Sequence, residues 1–294
     1  MIVSLTDALA HAERTRTAIA AVNTPFFEAL LATIEVGERT GTPIILQFAQ
    51  VHEDVMSIDN IGPAMVELAR RSPAPFVVHV DHGEDREYIE RGLEIGFNSC
   101  MIDGSRHPFE TNVRLTADVV AMAHERGVAV EGELGVMTGN ENGNPSQGIA
   151  DSTLFTDPDQ AREFVERTGV DCLAASFGTV HGLYRQAPSL NLPLISRLRD
   201  TAGVPLVMHG GSGLSAEDYR ASIARGVRKI NYYTYAAGAA YDAVVPLVQE
   251  GKGTLFPTLA VAAQHAVETD VARFVDLVST PENEGPATEN RNER

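Results

Sequence analysis

The chain has 294 residues, a formal net charge of −17 and no apolar run of the ~18 residues that a membrane-spanning helix needs. Its acidity argues against a large surface for nucleic acid or anionic membranes. Residues 1–20 lack the basic-then-apolar order of a signal peptide and the chain has only two cysteines, so we expect a cytoplasmic protein.

Strand-like runs alternate with helical patterns along the chain. The runs are residues 18–22, 43–48, 76–80, 98–102, 128–134, 171–176, 205–209 and 228–232. The helical patterns that follow them include residues 26–38, 61–71, 85–94, 110–126, 158–168, 192–201, 216–225 and 235–249. Eight such units over about 250 residues predict an α/β protein with a (β/α)8 TIM barrel fold. We expect one barrel domain over residues 1–279.

The connections between these units also carry information. Asp157-Pro158 and the segment from Ser215 to Asp218 are typical of helix starts. A polar connection runs from Gly135 to about Thr156, far longer than the ~2 to 6 residues usual in a barrel, and we favour a lid over a disordered segment. An extra C-terminal helix is predicted at 259–278, followed by a disordered polar tail at 280–294.

Three histidines follow three of the strand candidates. His82, His181 and His209 each stand in a His-Gly step beyond an apolar run. The carboxyl ends of barrel strands form one face, where active sites lie. Three imidazoles with an open fourth position are typical of a catalytic Zn²⁺ site. The adjacent glycines would let backbone N–H groups approach an anion such as phosphate.

The position of one His-Asp pair and the small number of lysines limit the chemistry. Strand alternation puts His79 and Asp81 on one face and leaves His82 at the strand end. Taken alone, such a His-Asp pair could equally be a buried hydrogen-bonded pair with no catalytic role. The only lysines are Lys229 and Lys252, and neither has the surroundings of a catalytic amine, so a Schiff-base mechanism has little support.

Six motifs in order resemble the class II metal-dependent aldolases of the fructose-bisphosphate and tagatose-bisphosphate aldolase family. The motifs are His79-x-Asp81-His82-Gly83, Met101-Ile102-Asp103-Gly104-Ser105, Val130-Glu131-Gly132-Glu133-Leu134-Gly135, Gly178-Thr179-Val180-His181-Gly182, His209-Gly210-Gly211-Ser212-Gly213 and Lys229-Ile230-Asn231. The resemblance covers roughly residues 1–278. It implies a lyase of carbohydrate metabolism and glycolysis that reversibly cleaves a ketose (bis)phosphate into dihydroxyacetone phosphate and an aldehyde through a metal-stabilised enediolate.

The resemblance also implies a ligand set. His82, His181 and His209 would bind one Zn²⁺ ion per chain. Glu133 and Asp103 would lie near the metal, where they could bind an alternative or second cation. Orientation of the histidines is the alternative role for these two carboxylates.

Proton transfer and substrate binding are implied in the same way. Asp81 would exchange a proton with the hydroxyl on the aldehyde carbon, and Glu141, in the polar connection, would do so at the ketone-side carbon. The residues expected to bind the sugar phosphate are Asn23, Gly182, Arg185, Gly210, Gly211, Ser212, Asn231 and Thr234. The family usually forms dimers or tetramers, so we expect a homo-oligomer, with no nucleic-acid or membrane partner.

Two departures from the family pattern concern substrate choice. Ala49 stands where a small polar residue is frequent, and Tyr233 stands where an acidic residue is common. Both changes are expected to remove polarity near the substrate. An aldolase of this family acting on a non-bisphosphate or unphosphorylated ketose is therefore an alternative. A metal-dependent barrel hydrolase or isomerase, or a sugar-phosphate-binding protein without activity, are further alternatives.

Overall fold

The computed structural model describes residues 1–136, 152–182, 184, 188–251 and 255–281. Eight parallel strands close into a barrel in sequence order, with β1 beside β8. The strands are β1 (Ile19–Asn23), β2 (Ile44–Ala49), β3 (Phe76–Gly83), β4 (Ser99–Ile102), β5 (Ala129–Leu134), β6 (Cys172–Ala175), β7 (Leu206–Met208) and β8 (Val227–Tyr232). The predicted (β/α)8 barrel is confirmed, with every strand in its predicted place.

Helices surround the barrel and close one of its ends. They are α1 (Leu5–Thr15), α2 (Phe27–Thr40), α3 (Ile58–Arg71), α4 (Arg86–Ile95), α5 (Phe109–Glu125), α6 (Pro158–Thr168), α7 (Leu192–Ala202), α8 (Ala216–Ile223), α9 (Thr234–Gln249) and α10 (Phe256–Ser279). The predicted helix starts are confirmed, since the Asp157 side chain accepts backbone N–H groups of α6 and Ser215 forms a capping box with Asp218. A 3₁₀ helix, Gln50–Asp54, follows β2.

Helix α1 plugs the amino-terminal end of the barrel and was not predicted. Its buried residues, Leu5, Ala8, Leu9 and Ala12, have the spacing of one helical face. They pack against the apolar side chains that the strands direct inward at this end, such as Val77. This apolar layer is called the lower half of the barrel interior below.

The side chains directed inward near the carboxyl ends of the strands are polar. After Val77 in β3 come His79 and Asp81, and after Ala21 in β1 comes Asn23, all of them buried. The same two-residue alternation operates in β5 and β8. This polar layer is called the upper half of the barrel interior, and it forms the floor of the candidate site.

Helix α10 confirms the predicted extra C-terminal helix and covers the outside of the barrel at its closure. It packs against α2, α9 and β1, and the Ala18 N–H donates a hydrogen bond of 2.9 Å to the Val278 carbonyl. No helix in the described ranges has the length and apolarity to cross a membrane. Most of the long connection after Gly135, with Glu141, lies outside the described residues, as do Arg185 and nearly all of the predicted tail.

Candidate active site

The three predicted histidines meet at the carboxyl-terminal mouth of the barrel. His82 lies at the end of β3, His181 beyond β6 and His209 just after β7. One ring nitrogen from each lies within 4.8 Å of the other two. The ring centroids are 4.6 to 5.8 Å apart. Nitrogens at this spacing can bind one cation jointly.

Hydrogen bonds from ring nitrogens to carboxylates orient two of these rings. His82 Nδ1 lies 2.9 Å from an Asp103 oxygen, and His209 Nε2 lies 2.8 Å from a Glu131 oxygen. A hydrogen bond from one ring nitrogen to a carboxylate is how metal-binding histidines are usually oriented. Within the described ranges, His209 Nδ1 is buried and has no hydrogen-bond partner. The donor set therefore fits a divalent cation such as Zn²⁺.

The backbone at His82 is unusual. Its φ is +44°, and Arg16 is the only other described residue except glycine with a positive φ. A register shift between Val80 and Gly83 in the pairing of β3 with β4 accompanies this conformation. A Cβ on Gly83 would lie 2.9 Å from the Met101 carbonyl oxygen, so glycine is needed there. Such strain, of order 1–3 kcal/mol, is found mainly at functional sites.

The pKa values of two carboxylates beside His82 are shifted in opposite directions by their surroundings. Asp103, Glu133 and His82 form a second group of potential metal ligands within 4.8 Å. Burial raises the pKa of Asp103, but the hydrogen bond and charge of His82 outweigh it and lower that pKa overall. Burial and the charge of Asp103 raise the pKa of Glu133 well above its usual value. Asp103 is thus suited to orient His82, whereas Glu133 would ionise readily only beside a cation.

Below the histidines lies a buried ion pair. Lys229 Nζ donates to a Glu131 oxygen over 2.7 Å, and both side chains are fully buried. Burial raises the pKa of Glu131, yet Lys229 and His209 lower it to about 2 overall. Burial, with the charge of Lys229, lowers the pKa of nearby His79 to about 3. Lys229 is therefore engaged with a carboxylate and supports the orientation of His209 through Glu131.

Asp81 is held by three side-chain amides. Asn23 and Gln47 donate to Oδ2 over 2.9 and 3.2 Å, and Asn231 donates to Oδ1 over 3.1 Å. Burial alone would raise the pKa of Asp81, but the positive charges of His82 and Lys229 lower it overall. The three amide donors thus fix the orientation of the carboxylate, and its lowered pKa favours the ionised form.

The same three amides present acceptors as well. The side-chain oxygens of Asn23, Gln47 and Asn231 are buried and, among the described residues, lack hydrogen-bond partners. Buried amide oxygens of this kind are costly unless a ligand satisfies them, and hydroxyl groups would do so. Gln47 was not among the predicted site residues. Strand alternation, two residues after Ile45, was the signal that could have identified it.

The predicted phosphate-binding residues lie in the loops after β6 and β7 and at the start of α9. Gly210 has a φ of +63°, and a Cβ there would lie 2.3 Å from the Val180 carbonyl oxygen, so only glycine is compatible. Gly182 and Gly211 lie in the same two loops. The Ser212 hydroxyl accepts the Tyr233 N–H over 3.1 Å, and Thr234 begins α9. The described parts of these loops are packed closely, as backbone anion sites require.

Two residues depart from the family pattern, Ala49 at the end of β2 and Tyr233 directly after β8. The ring of Tyr233 lies against the ring of His52, with centroids 4.5 Å apart, and His52 is fully buried in the 3₁₀ helix after β2. His52 therefore places an imidazole beside Tyr233 that the sequence did not single out. Ala49 lies opposite Asp81 in the pairing of β2 with β3.

Comparisons with known proteins agree on one family. The model of class-II fructose-bisphosphate aldolases matches residues 3–282. The Escherichia coli K12 protein YdjI is 40% identical over 231 residues, which is 77% of this chain and 81% of that protein. The crystal structure of the YdjI aldolase superposes with a TM-score of 0.84 and 34% identity, covering 96% of this chain and 99% of that one.

Two curated relatives carry names with stated substrates. A fructose-bisphosphate aldolase from Geobacillus stearothermophilus is 37% identical over 79% of this chain and 81% of that protein. The D-tagatose-1,6-bisphosphate aldolase subunit GatY from Klebsiella oxytoca is 36% identical over 93% of this chain and 96% of that protein.

Proposed function

This chain belongs to the class II fructose-bisphosphate aldolase family of metal-dependent lyases that act on sugar phosphates, and we propose that it reversibly cleaves a ketose phosphate into dihydroxyacetone phosphate and an aldehyde. One observation carries the proposal. Beside the cluster of three histidines stands a separate carboxylate, Asp81, fixed by three amide donors. A cation site next to an oriented proton acceptor is what aldol cleavage without an amine requires.

The residues proposed to hold the metal are His82, His181 and His209, and the metal is Zn²⁺ in this proposal. When bound, the cation supplies a Lewis acid that polarises the ketone carbonyl and offsets the negative charge left by cleavage. Asp103 would act by orienting His82. Glu133, which faces both His82 and His209, is proposed as a ligand for an alternative or second cation.

Asp81 and Glu141 are proposed to move the protons. In cleavage, Asp81 takes the proton of the hydroxyl on the future aldehyde carbon, the carbon–carbon bond breaks, and its electron pair passes to the ketone fragment. Glu141 then delivers a proton to that carbon. Condensation is the reverse sequence. The amide oxygens of Asn23, Gln47 and Asn231 are proposed to accept substrate hydroxyls.

The phosphate group is proposed to lie against the loops after β6 and β7. Their backbone N–H groups and the start of α9 form the place where TIM barrels commonly bind phosphate. The residues assigned to it are Gly182, Arg185, Gly210, Gly211, Ser212 and Thr234.

A second candidate is cleavage of a ketose phosphorylated at one end only. The contact between buried His52 and half-buried Tyr233 supports it, because an aromatic ring stands at the position where the family pattern noted above has an acidic residue. Initial rates with fructose 1,6-bisphosphate, tagatose 1,6-bisphosphate and ketose 1-phosphates would decide between the candidates. A kcat/KM at least about tenfold higher for a 1-phosphate would favour the second.

Metal dependence is tested first. Dialysis against a chelator should abolish cleavage, and added Zn²⁺ should restore it. His181→Ala and His209→Ala should each lose metal while keeping the circular dichroism of the parent, since residues at this face serve function more than folding. A covalent adduct on Lys229, trapped by borohydride with substrate, would contradict the proposal.

The proton assignments need a test that separates the two carboxylates. Glu141→Ala should abolish exchange of the ketone fragment's C–H proton with solvent while metal stays bound. Asp81→Ala should reduce cleavage by about 10² or more, whereas some exchange persists. Labelled dihydroxyacetone phosphate reports exchange, and a coupled assay reports cleavage. Equal loss of both activities in both variants would refute the division of roles.

A further inference from the structure

Two tyrosine hydroxyl groups bond to the carbonyls of successive glycines in the loop after β7. The Tyr184 hydroxyl donates to the Gly210 carbonyl over 2.8 Å, and the Tyr219 hydroxyl donates to the Gly211 carbonyl. Burial raises the pKa of both phenols, so each hydroxyl keeps the proton that it donates. One tyrosine lies in the loop after β6 and the other in helix α8. The loop after β7 is therefore held from two sides.

These two bonds also fix the direction of two backbone N–H groups. The peptide units of the loop are trans, and in a planar trans peptide the C=O and the following N–H point in opposite directions. The Tyr184 bond therefore directs the Gly211 N–H away from the loop after β6. The Tyr219 ring packs on the helix side of the barrel, so its bond directs the Ser212 N–H away from the helices.

The two N–H groups are available to a ligand. Gly211 and Ser212 are both buried, and in the described part of the chain neither N–H donates a hydrogen bond to a protein acceptor. Buried N–H groups without a partner are costly, which indicates a ligand that accepts from them. The Ser212 hydroxyl accepts the Tyr233 N–H, so its own proton can serve the same ligand. Three adjacent donors suit an anion.

We propose that Tyr184 and Tyr219 are positioning residues for the phosphate group of the substrate. Neither phenol binds the phosphate in this proposal. Each acts through the peptide unit whose carbonyl it holds, and so aims the N–H groups of Gly211 and Ser212 at the anion. The inference rests on the proposed function for the location of the phosphate, and it adds the two side chains that prepare the site before substrate arrives.

Tyr184 also connects the loops that carry two of the histidines. Its hydroxyl accepts the N–H of Val180, the residue before His181, over 3.1 Å, while it donates to the residue after His209. Removal of this hydroxyl would release both loops, whereas removal of the Tyr219 hydroxyl would release only the loop after β7. The two tyrosines should therefore differ in their effect on metal binding.

The test measures the binding of a phosphate ester that aldol chemistry cannot cleave. Glycerol 3-phosphate is titrated into the zinc-loaded full chain in a calorimeter, with glycerol as the unphosphorylated comparison. Tyr184→Phe and Tyr219→Phe should each bind the ester about tenfold more weakly than the wild type, since a misdirected N–H loses a hydrogen bond to a charged group.

Zinc affinity separates the two variants. Competition with a chromophoric chelator should show about tenfold weaker Zn²⁺ binding for Tyr184→Phe, the size of effect found when the groups that orient metal ligands are lost. Tyr219→Phe should keep the wild-type zinc affinity. In a cleavage assay, Tyr219→Phe should raise KM for a phosphorylated ketose with little change in kcat, because it weakens binding before and during the reaction alike.

Tyr232→Phe is the matched control variant. Tyr232 and Tyr219 are equally buried, each with 3% exposure, and the Tyr232 hydroxyl donates to Asp270 of α10 over 2.6 Å on the outside of the barrel. Loss of this hydroxyl should lower stability in urea. It should leave the affinities for glycerol 3-phosphate and for Zn²⁺ at the wild-type level.

The possible failures are distinguishable. Wild-type affinity for the ester in both Tyr184→Phe and Tyr219→Phe would overturn the proposal. Equal weakening in Tyr232→Phe would also overturn it, because loss of any buried hydroxyl would then loosen the site. A wild type that binds the ester no better than glycerol would overturn the proposed phosphate location as well. Tyrosine-dependent binding without aldol cleavage would support this inference and overturn the proposed reaction alone.

Discussion

The lower and upper halves of the barrel interior are built from the same strands, two residues apart. In β5, Ala129 packs in the apolar lower layer against α1, whereas Glu131 and Glu133 stand in the polar layer above it. The lower half gains free energy from apolar burial. The upper half contains buried charges whose removal from water is costly even when they are paired. The contrast shows that stability and chemistry are separated along each strand rather than between strands.

The largest expected effect concerns a buried ion pair of the upper half that contributes to stability as well. Lys229→Met should lower the free energy of unfolding by about 4 kcal/mol, because it leaves Glu131 as an unpaired buried charge. Adding Glu131→Gln should recover more than half of this loss, since the charge is then removed. Urea unfolding of the two variants measures both. A double variant no more stable than the single one would mean that the pair acts through packing alone.

In the lower half, Leu5→Ala should cost about 3 kcal/mol of unfolding free energy, because Leu5 is fully buried where α1 meets the barrel. Cleavage rate and metal content at 25 °C should stay at the wild-type level. Leu5→Met is the control, since it conserves volume and should cost less than about 1.5 kcal/mol. A tenfold loss of kcat in folded Leu5→Ala would show that the lower half also serves catalysis.

Strand β2 allows the two halves to be compared within one element. Gln47→Leu removes a donor to Asp81 and should lower kcat/KM about 30-fold, the size of a hydrogen bond to a charged group, with little change in stability. Ile45→Val, two residues earlier in the lower half, should cost about 1 kcal/mol of stability and leave kcat/KM unchanged. The reverse pattern of effects would contradict the division.

The smallest expected effect concerns pH. His79 has a pKa lowered to about 3 by burial from an ordinary value of 6.5. Below pH 6.5, His79 is protonated in the unfolded chain, whereas in the folded protein it stays neutral until about pH 3. Stability therefore falls as the pH is lowered. Between pH 8 and pH 6, His79→Gln should reduce this loss by about 1 kcal/mol. If the free energy of unfolding depends on pH identically in the variant and the wild type, His79 does not contribute to this loss of stability.

Much of this arrangement follows from local sequence signals. Alternation predicted that His79 and Asp81 share a face, and both are buried in the upper half. The His-Gly steps predicted that His82, His181 and His209 converge, and their ring nitrogens do. These signals work because a closed parallel barrel brings the carboxyl ends of all strands together.

The features that the sequence did not predict depend on barrel closure or on local strain. The ion pair of Lys229 and Glu131 joins residues 98 positions apart, and its formation depends on the register of the four strands from β5 to β8. Gln47 gains its role from Asp81 on the next strand. The positive φ of His82 accompanies the register shift in the pairing of β3 with β4, and no residue type in the sequence predicts that shift. The roles of Glu141 and Arg185 stay predictions.

The contact of α10 with the start of the barrel has a consequence for biosynthesis. Helix α2 and strand β1 leave the ribosome early, yet the helix that covers them is the last one in the described chain. At ~10 residues per second, the apolar side of α2 would remain uncovered for roughly 20 seconds until α10 is synthesised. Nascent chains halted before Phe256 should therefore depend on chaperones and be sensitive to proteases, whereas chains released after Ser279 should not.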